Sequence, residues 1–121
     1  MDLADLQEQV RQFADERDWA PFHTPKNLVL ALTGEVGELA EVFQWLTPEE
    51  ADAAADPATG DPRVRQRAGE EMSDVLAYLL MLTDALGIDL AEAFTRKMAA
   101  NREKYPVHLA RGSSAKYDEL S

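Results

Sequence analysis

Two acidic pairs carry the chemistry in this sequence: Glu35 with Glu38, and Glu71 with Asp74. Both lie in stretches where apolar residues recur at helical spacing, and i, i+3 partners reach the same side of a helix. A helix turns about 100° per residue. With Glu35 at zero, Leu28, Leu32, Leu39, Val42 and Leu46 fall within about 60° of it, inside one apolar stripe. Glu38 falls about 60° to the side, at the stripe's edge, and Glu41 points away like an ordinary surface acid. With Glu71 at zero, Val64, Val75, Tyr78, Leu82 and Leu86 share its sector, and Asp74 takes the same edge offset as Glu38.

Carboxylates in a helical core are costly unless paired. Four together repel one another unless they are protonated or bound to cations. Mg²⁺ suits them: it is a hard ion that takes carboxylate oxygens, keeps several waters and shares substrate phosphates. Mn²⁺ fits the same all-oxygen set, and iron fits it less well. Di-iron bundles add a Glu-x-x-His motif; the two histidines here, His23 and His108, do not follow an acid by three residues. The competing reading makes these residues solvated acids on amphipathic helices, the usual fate of a charge run. The position of Glu35 and Glu71 inside apolar stripes argues against it.

Lys97, Asn101 and Lys104 recur at i, i+4, i+7 and share a helix face, with Tyr105 just beyond. Such a face can hold phosphate oxygens, or it can complement the dipole of its own helix end. Trp19, Phe22 and Trp45 can stack on a nucleobase or pack in a core or subunit contact. Tyr78, one turn after Asp74, can hydrogen-bond a carboxylate or fill the core. His23 reads as a satisfied loop histidine, and His108 has no assigned role.

The elements that must position these residues are helices. Residues 2–18 form one, on the spacing of Leu3, Leu6, Val10 and Phe13. Thr24-Pro25 caps and starts a second, running to about Leu46. Thr47-Pro48 opens a short helix through Ala55. Residues 56–62 are the clearest loop, and Asp61-Pro62 starts a long helix that reaches about Leu86 and stops at Gly87. Asp89 caps another, ending near Lys104. No strand-like alternation intervenes, so the expectation is an all-α antiparallel four-helix bundle. It forms one domain over residues 1–106, followed by a tail over 107–121 that is mobile around Arg111-Gly112-Ser113-Ser114.

Length and composition agree. The chain has 121 residues, enough for one domain. Its 23 acids against 12 bases give a net charge of −11, which argues against binding a nucleic acid polymer. A nucleotide remains compatible if cations mediate the contact. The absence of cysteine excludes disulfides, zinc–thiolate sites and thiol nucleophiles. No apolar run reaches 18 residues, so no membrane span is expected. The opening residues lack a signal-peptide pattern, and a cytoplasmic location is expected.

The segment from Leu32 to Glu41, followed by Gln44-Trp45, resembles the all-alpha MazG-type nucleotide pyrophosphohydrolases. Glu70 to Val75 resembles their second acidic motif, and Lys97 to Pro106 their fourth-helix motif. Residues Glu16 to Trp19, Phe22-His23, Pro25, Phe43 to Trp45 and Arg111 to Tyr117 are similar to the dCTP pyrophosphatase branch. The resemblance covers nearly the whole chain. It implies cleavage of a nucleoside triphosphate between the α and β phosphates, giving a monophosphate and pyrophosphate. It implies Mg²⁺ held by Glu35, Glu38, Glu71 and Asp74, and a homo-oligomer, dimer or tetramer, whose active sites draw on more than one subunit. Phosphate contacts then fall to Lys97, Asn101, Lys104 and Tyr105, and base contacts to Trp19, Phe22, Trp45 and Tyr78. One of the four acids also activates the attacking water, with Glu38 at the stripe's edge the first choice. Some relatives of this branch carry His where this chain has Val10, which bears on base preference. The expected substrate is dCTP or a base-modified dCTP; the alternatives are a broader or dUTP-directed pyrophosphatase, and a non-catalytic helical interaction module.

Overall fold

The computed structural model describes residues 1–119; Leu120 and Ser121, the last two residues of the expected tail, lie outside the described residues. Among the described residues every regular element is helical. The chain divides into two compact units, Met1–Gly87 and Ile88–Ser121.

The first unit opens with α1, Leu3–Asp15. Asp2 and Asp5 form a reciprocal cap at 2.9 and 3.0 Å, which satisfies two of the free N–H groups at the helix start. The helix ends three residues before the expected Asp18, which sits in the left-handed region at φ 52. Short polar Asp tolerates that conformation, and helix propagation does not. A single 3₁₀ turn, Ala20–Phe22, carries the chain onward.

Helix α2 spans Pro25–Phe43, with Thr24 accepting from the Asn27 amide. It stops short of the expected Leu46. The reason lies just downstream: α3, Pro48–Ala53, needs an extended Thr47 at ψ 160 as its cap, and a residue before proline avoids the helical region. The chain must therefore unwind before Thr47. The loop after α3 closes tightly on Gly60, where a β-carbon would lie 2.6 Å from the Ala53 carbonyl oxygen. Helix α4, Pro62–Leu86, begins at the Asp61 cap and ends at Gly87, whose φ of 65 gives a left-handed stop.

Helix α4 packs along both α1 and α2. The core between them is small: Leu28 and Val42 of α2, Leu80 and Thr83 of α4, and Ala54 after α3. Thr83 is the one buried polar side chain among the described residues. Its hydroxyl donates to the Leu80 carbonyl at 2.8 Å and accepts from Gln7 Nε2 at 3.1 Å, so its burial is compensated. Val29, Leu30, Val36, Met72 and Leu76 remain exposed.

The second unit is built on α5, Leu90–Lys104, capped by Asp89 accepting from the Glu92 amide, with Arg102 and Lys104 in its last turn. An ion pair between Glu92 and Arg96 spans one turn of its surface. The tail carries two short elements on either side of residues 111–114. Pro106, extended at ψ 141, starts a short helix α6, Val107–Ala110, and a 3₁₀ turn follows at Tyr117–Glu119.

No helix among the described residues is long and apolar enough to cross a membrane.

Candidate metal and nucleotide site

Helix α2 supplies Glu35 and Glu38, and α4 supplies Glu71 and Asp74. Because the two helices pack along each other, the pairs meet. One carboxylate oxygen each from Glu35, Glu71 and Asp74 lie within 4.8 Å of one another. Glu38 stands outside that trio but near enough to raise the carboxyls of both Glu35 and Glu71. Glu35 and Glu71 are half-buried, while Glu38 and Asp74 are exposed, the same core-and-edge division that the helical wheel draws.

The cluster is electrostatically unfavourable by itself. The Glu35 carboxyl is pushed up to about 7, first by the hydrogen bond it shares with Glu38, then by loss of solvent, then by the charges of Glu38, Asp74 and Glu71. Glu71 is also raised, by burial first and then by Glu38 and Asp74, with Arg67 opposing. Glu35 Oε2 and Glu71 Oε2 are both buried without a hydrogen-bond partner. Buried acceptors left unpaired are costly. A hard divalent cation supplies what they lack, positive charge and oxygen coordination, so the donor set fits such an ion.

The other sequence candidates are distributed as follows. Tyr78 is half-buried on α4. Trp19 meets Phe13 edge-on at a ring separation of 5.5 Å and His23 at 6.0 Å, while the Arg17 guanidinium lies 3.8 Å over the Phe13 ring. Phe22 is exposed, and Trp45, just past α2, is 85% exposed. On α5 of the second unit, Lys97 is exposed and Asn101 half-buried, with Asn101 Nδ2 3.9 Å from Met98 Sδ. Lys104 ends that helix and Tyr105 caps it.

Sequence reasoning misses a second polar constellation. Arg11 of α1 grips Asp84 of α4 with two bonds, Nε to Oδ2 at 3.0 Å and Nη2 to Oδ1 at 2.8 Å. Its third nitrogen, Nη1, donates to Glu8 at 2.8 Å, and Gln7 Nε2 donates to Asp84 Oδ1 at 2.7 Å. These charges hold the Arg11 guanidinium firmly protonated. Beside them opens a cavity of about 250 Å³, walled by Val10, Ala14, Met81 and Ala85 and edged by His23. A larger, apolar groove of about 730 Å³ runs between α2, α3 and α4, past Val36, Phe43, Val64 and Met72. Arg11 and Asp84 look like surface charges in the sequence, and a pair 73 residues apart leaves no local periodic signal.

With the geometry in place, the likenesses to known proteins are informative. The model of the MazG-like family matches residues 31–120. The chain is 52% identical over 118 residues to human dCTP pyrophosphatase 1, covering 98% of this chain and 67% of that protein. It is 50% identical over the same length to the rat protein of that name, again covering 98% and 67%. Among solved structures, a pyrophosphatase from Archaeoglobus fulgidus superposes with a TM-score of 0.75 at 40% identity, over 86% of this chain and 92% of that one. The chain belongs to the MazG-like family, and its fold is the all-α fold of that family. It is an enzyme of the nucleoside triphosphate pyrophosphohydrolase class.

Proposed function

We propose that this enzyme hydrolyses dCTP, or a base-modified dCTP, to the monophosphate and pyrophosphate in a Mg²⁺-dependent reaction that cleanses the cytoplasmic nucleotide pool. One observation carries the metal dependence: two buried, unpartnered carboxylate oxygens, Glu35 Oε2 and Glu71 Oε2, in a group that Asp74 completes and that Glu38 adjoins. The names of the mammalian relatives support the substrate.

Glu35, Glu38, Glu71 and Asp74 are the metal ligands. When bound, Mg²⁺ (or Mn²⁺) supplies charge neutralisation and alignment of the triphosphate for in-line attack on the α phosphorus. Glu38, at the exposed edge of the cluster, takes the proton of the attacking water. Lys97, Asn101, Lys104 and Tyr105 bind phosphate oxygens; three of them share one face of α5. Trp19, Phe22, Trp45 and Tyr78 receive the base.

The proposal includes the four-helix bundle and assembly into a dimer or tetramer. The apolar side chains left exposed on α2 and α4 support assembly, because a monomer gains nothing from exposing them. Pyrophosphate release is measured over a panel of triphosphates with and without Mg²⁺. dCTP is expected to turn over fastest, and only with the cation. Faster turnover of dUTP, or equal rates throughout, would replace the dCTP assignment with the dUTP-directed or broad alternative.

A further inference from the structure

We propose that the cavity between α1 and α4 receives the nucleobase end of the substrate, and that Asp84, oriented by Arg11 and Gln7, reads an exocyclic amino group and so favours cytosine over uracil. This rests on the proposed function and refines it.

The register of α4 gives the placement. Met81 and Ala85 follow Asp74 by seven and eleven residues, which returns them to within about 20° of its direction on the helix. The cavity floor thus continues the ridge on which Asp74 stands. At 1.5 Å per residue, it lies about 10–16 Å further along the axis, the separation a nucleotide bridges between its phosphates and the far edge of its base. A volume of about 250 Å³ is below the roughly 300–1,000 Å³ of sites for drug-sized ligands, so it suits one base rather than a whole nucleotide. The walls Val10, Ala14, Met81 and Ala85 offer apolar faces to a ring. Trp19 stands beside the cavity through Ala20 and His23, both of which line it.

Asp84 supplies the selectivity. A carboxylate can accept about four hydrogen bonds. Three are made among the described residues: Oδ1 accepts from Gln7 and Arg11 Nη2, and Oδ2 from Arg11 Nε. Among the described residues Oδ2 accepts a single bond, and Asp84, 28% exposed, lines the cavity. A fixed carboxylate pairs with the N4 amino group of cytosine. The carbonyl that uracil carries at the same position offers no donor and meets negative charge, and a site built to bond a substrate N–H rejects an analogue without it. Arg11 and Gln7 are positioning residues. They restrict the Asp84 rotamer, so that the open lone pair is held rather than searched for.

The test compares kcat/KM for dCTP and dUTP, with Mg²⁺ present, in the wild-type protein, Asp84→Asn and Arg11→Gln. Asn keeps the size of the side chain and adds a donor. Its expected effect is a fall of at least about tenfold in the dCTP-to-dUTP ratio, with dUTP still hydrolysed. Arg11→Gln is expected to lower the ratio by a smaller factor, and it serves if Asp84→Asn fails to fold. A purely structural role would depress both substrates equally and leave the ratio alone. An unchanged ratio in the folded variants, or a wild type indifferent to the two bases, overturns the inference and leaves the pyrophosphohydrolase reading standing. A wild type that releases pyrophosphate from no triphosphate overturns both.

Discussion

Glu35 and Glu71 each bury one carboxylate oxygen without a partner, Asp74 joins them from the exposed side, and Glu38 raises the carboxyls of both. Alanine at Glu38 or Glu71 is therefore expected to reduce pyrophosphate release by at least about a hundredfold, while far-ultraviolet circular dichroism stays helical; near-normal turnover would remove that residue from the site. The metal-free protein should also report the crowding through pH. The folded Glu35 carboxyl, raised from 4.5 to about 7, holds its proton more tightly than the unfolded chain does. The folded state therefore binds more protons between those values, and stability falls as pH rises through that window. The melting temperature without metal should drop from pH 5 to pH 8, Mg²⁺ should restore it at pH 8, and Glu35→Gln should flatten the profile. A melting temperature that rises over this range would contradict the assignment. The acids were legible in the sequence because a helical wheel needs only one element's periodicity. The Arg11–Asp84 grip was not, since it joins two helices that no local pattern connects.

Helix starts were read almost to the residue, because caps are written locally: Thr24-Pro25, Thr47-Pro48, Asp61-Pro62 and Asp89 each satisfy a free amide of their own first turn. Ends were read less well. α1 and α2 each stop three residues early, since a stop is decided by what the next element demands of the backbone. Short elements such as Ala20–Phe22 and α6 hold too few residues to show a period. Tight closure after α3 gives a test at this scale. Gly60→Ala would force a β-carbon to 2.6 Å from the Ala53 carbonyl oxygen and 2.8 Å from Ala54 Cα, a clash that typically costs about 1–3 kcal/mol. Gly69→Ala, in the middle of α4 with nothing within 4 Å of the added carbon, should be neutral or stabilise by up to about 1 kcal/mol. Urea unfolding of the two variants should separate them in these opposite directions.

For the molecule as a whole, the small core of the first unit sets the expectation. Leu28 and Leu80 are its only large side chains among those described that are fully buried, while Val29, Leu30, Val36, Met72 and Leu76 face outward. The groove between α2, α3 and α4 is apolar as well. Sedimentation velocity should show a dimer or tetramer at micromolar concentration, and the melting temperature should climb with protein concentration. A monomer with a concentration-independent melt would contradict assembly. The all-α class was visible in the sequence, because composition and periodicity both report it.

The two orphaned oxygens have a consequence for inheritance. They tax the fold in every generation, whether or not substrate is present, and under the proposed function it is the reaction that keeps them. Selection that ignored catalysis and rewarded persistence alone would discard Glu35 and Glu71 early, since replacing a crowded acid is an easy route to a sturdier protein. A descendant of this chain that retained both acids would thereby testify that it still does chemistry, and one that had lost them would have changed trade.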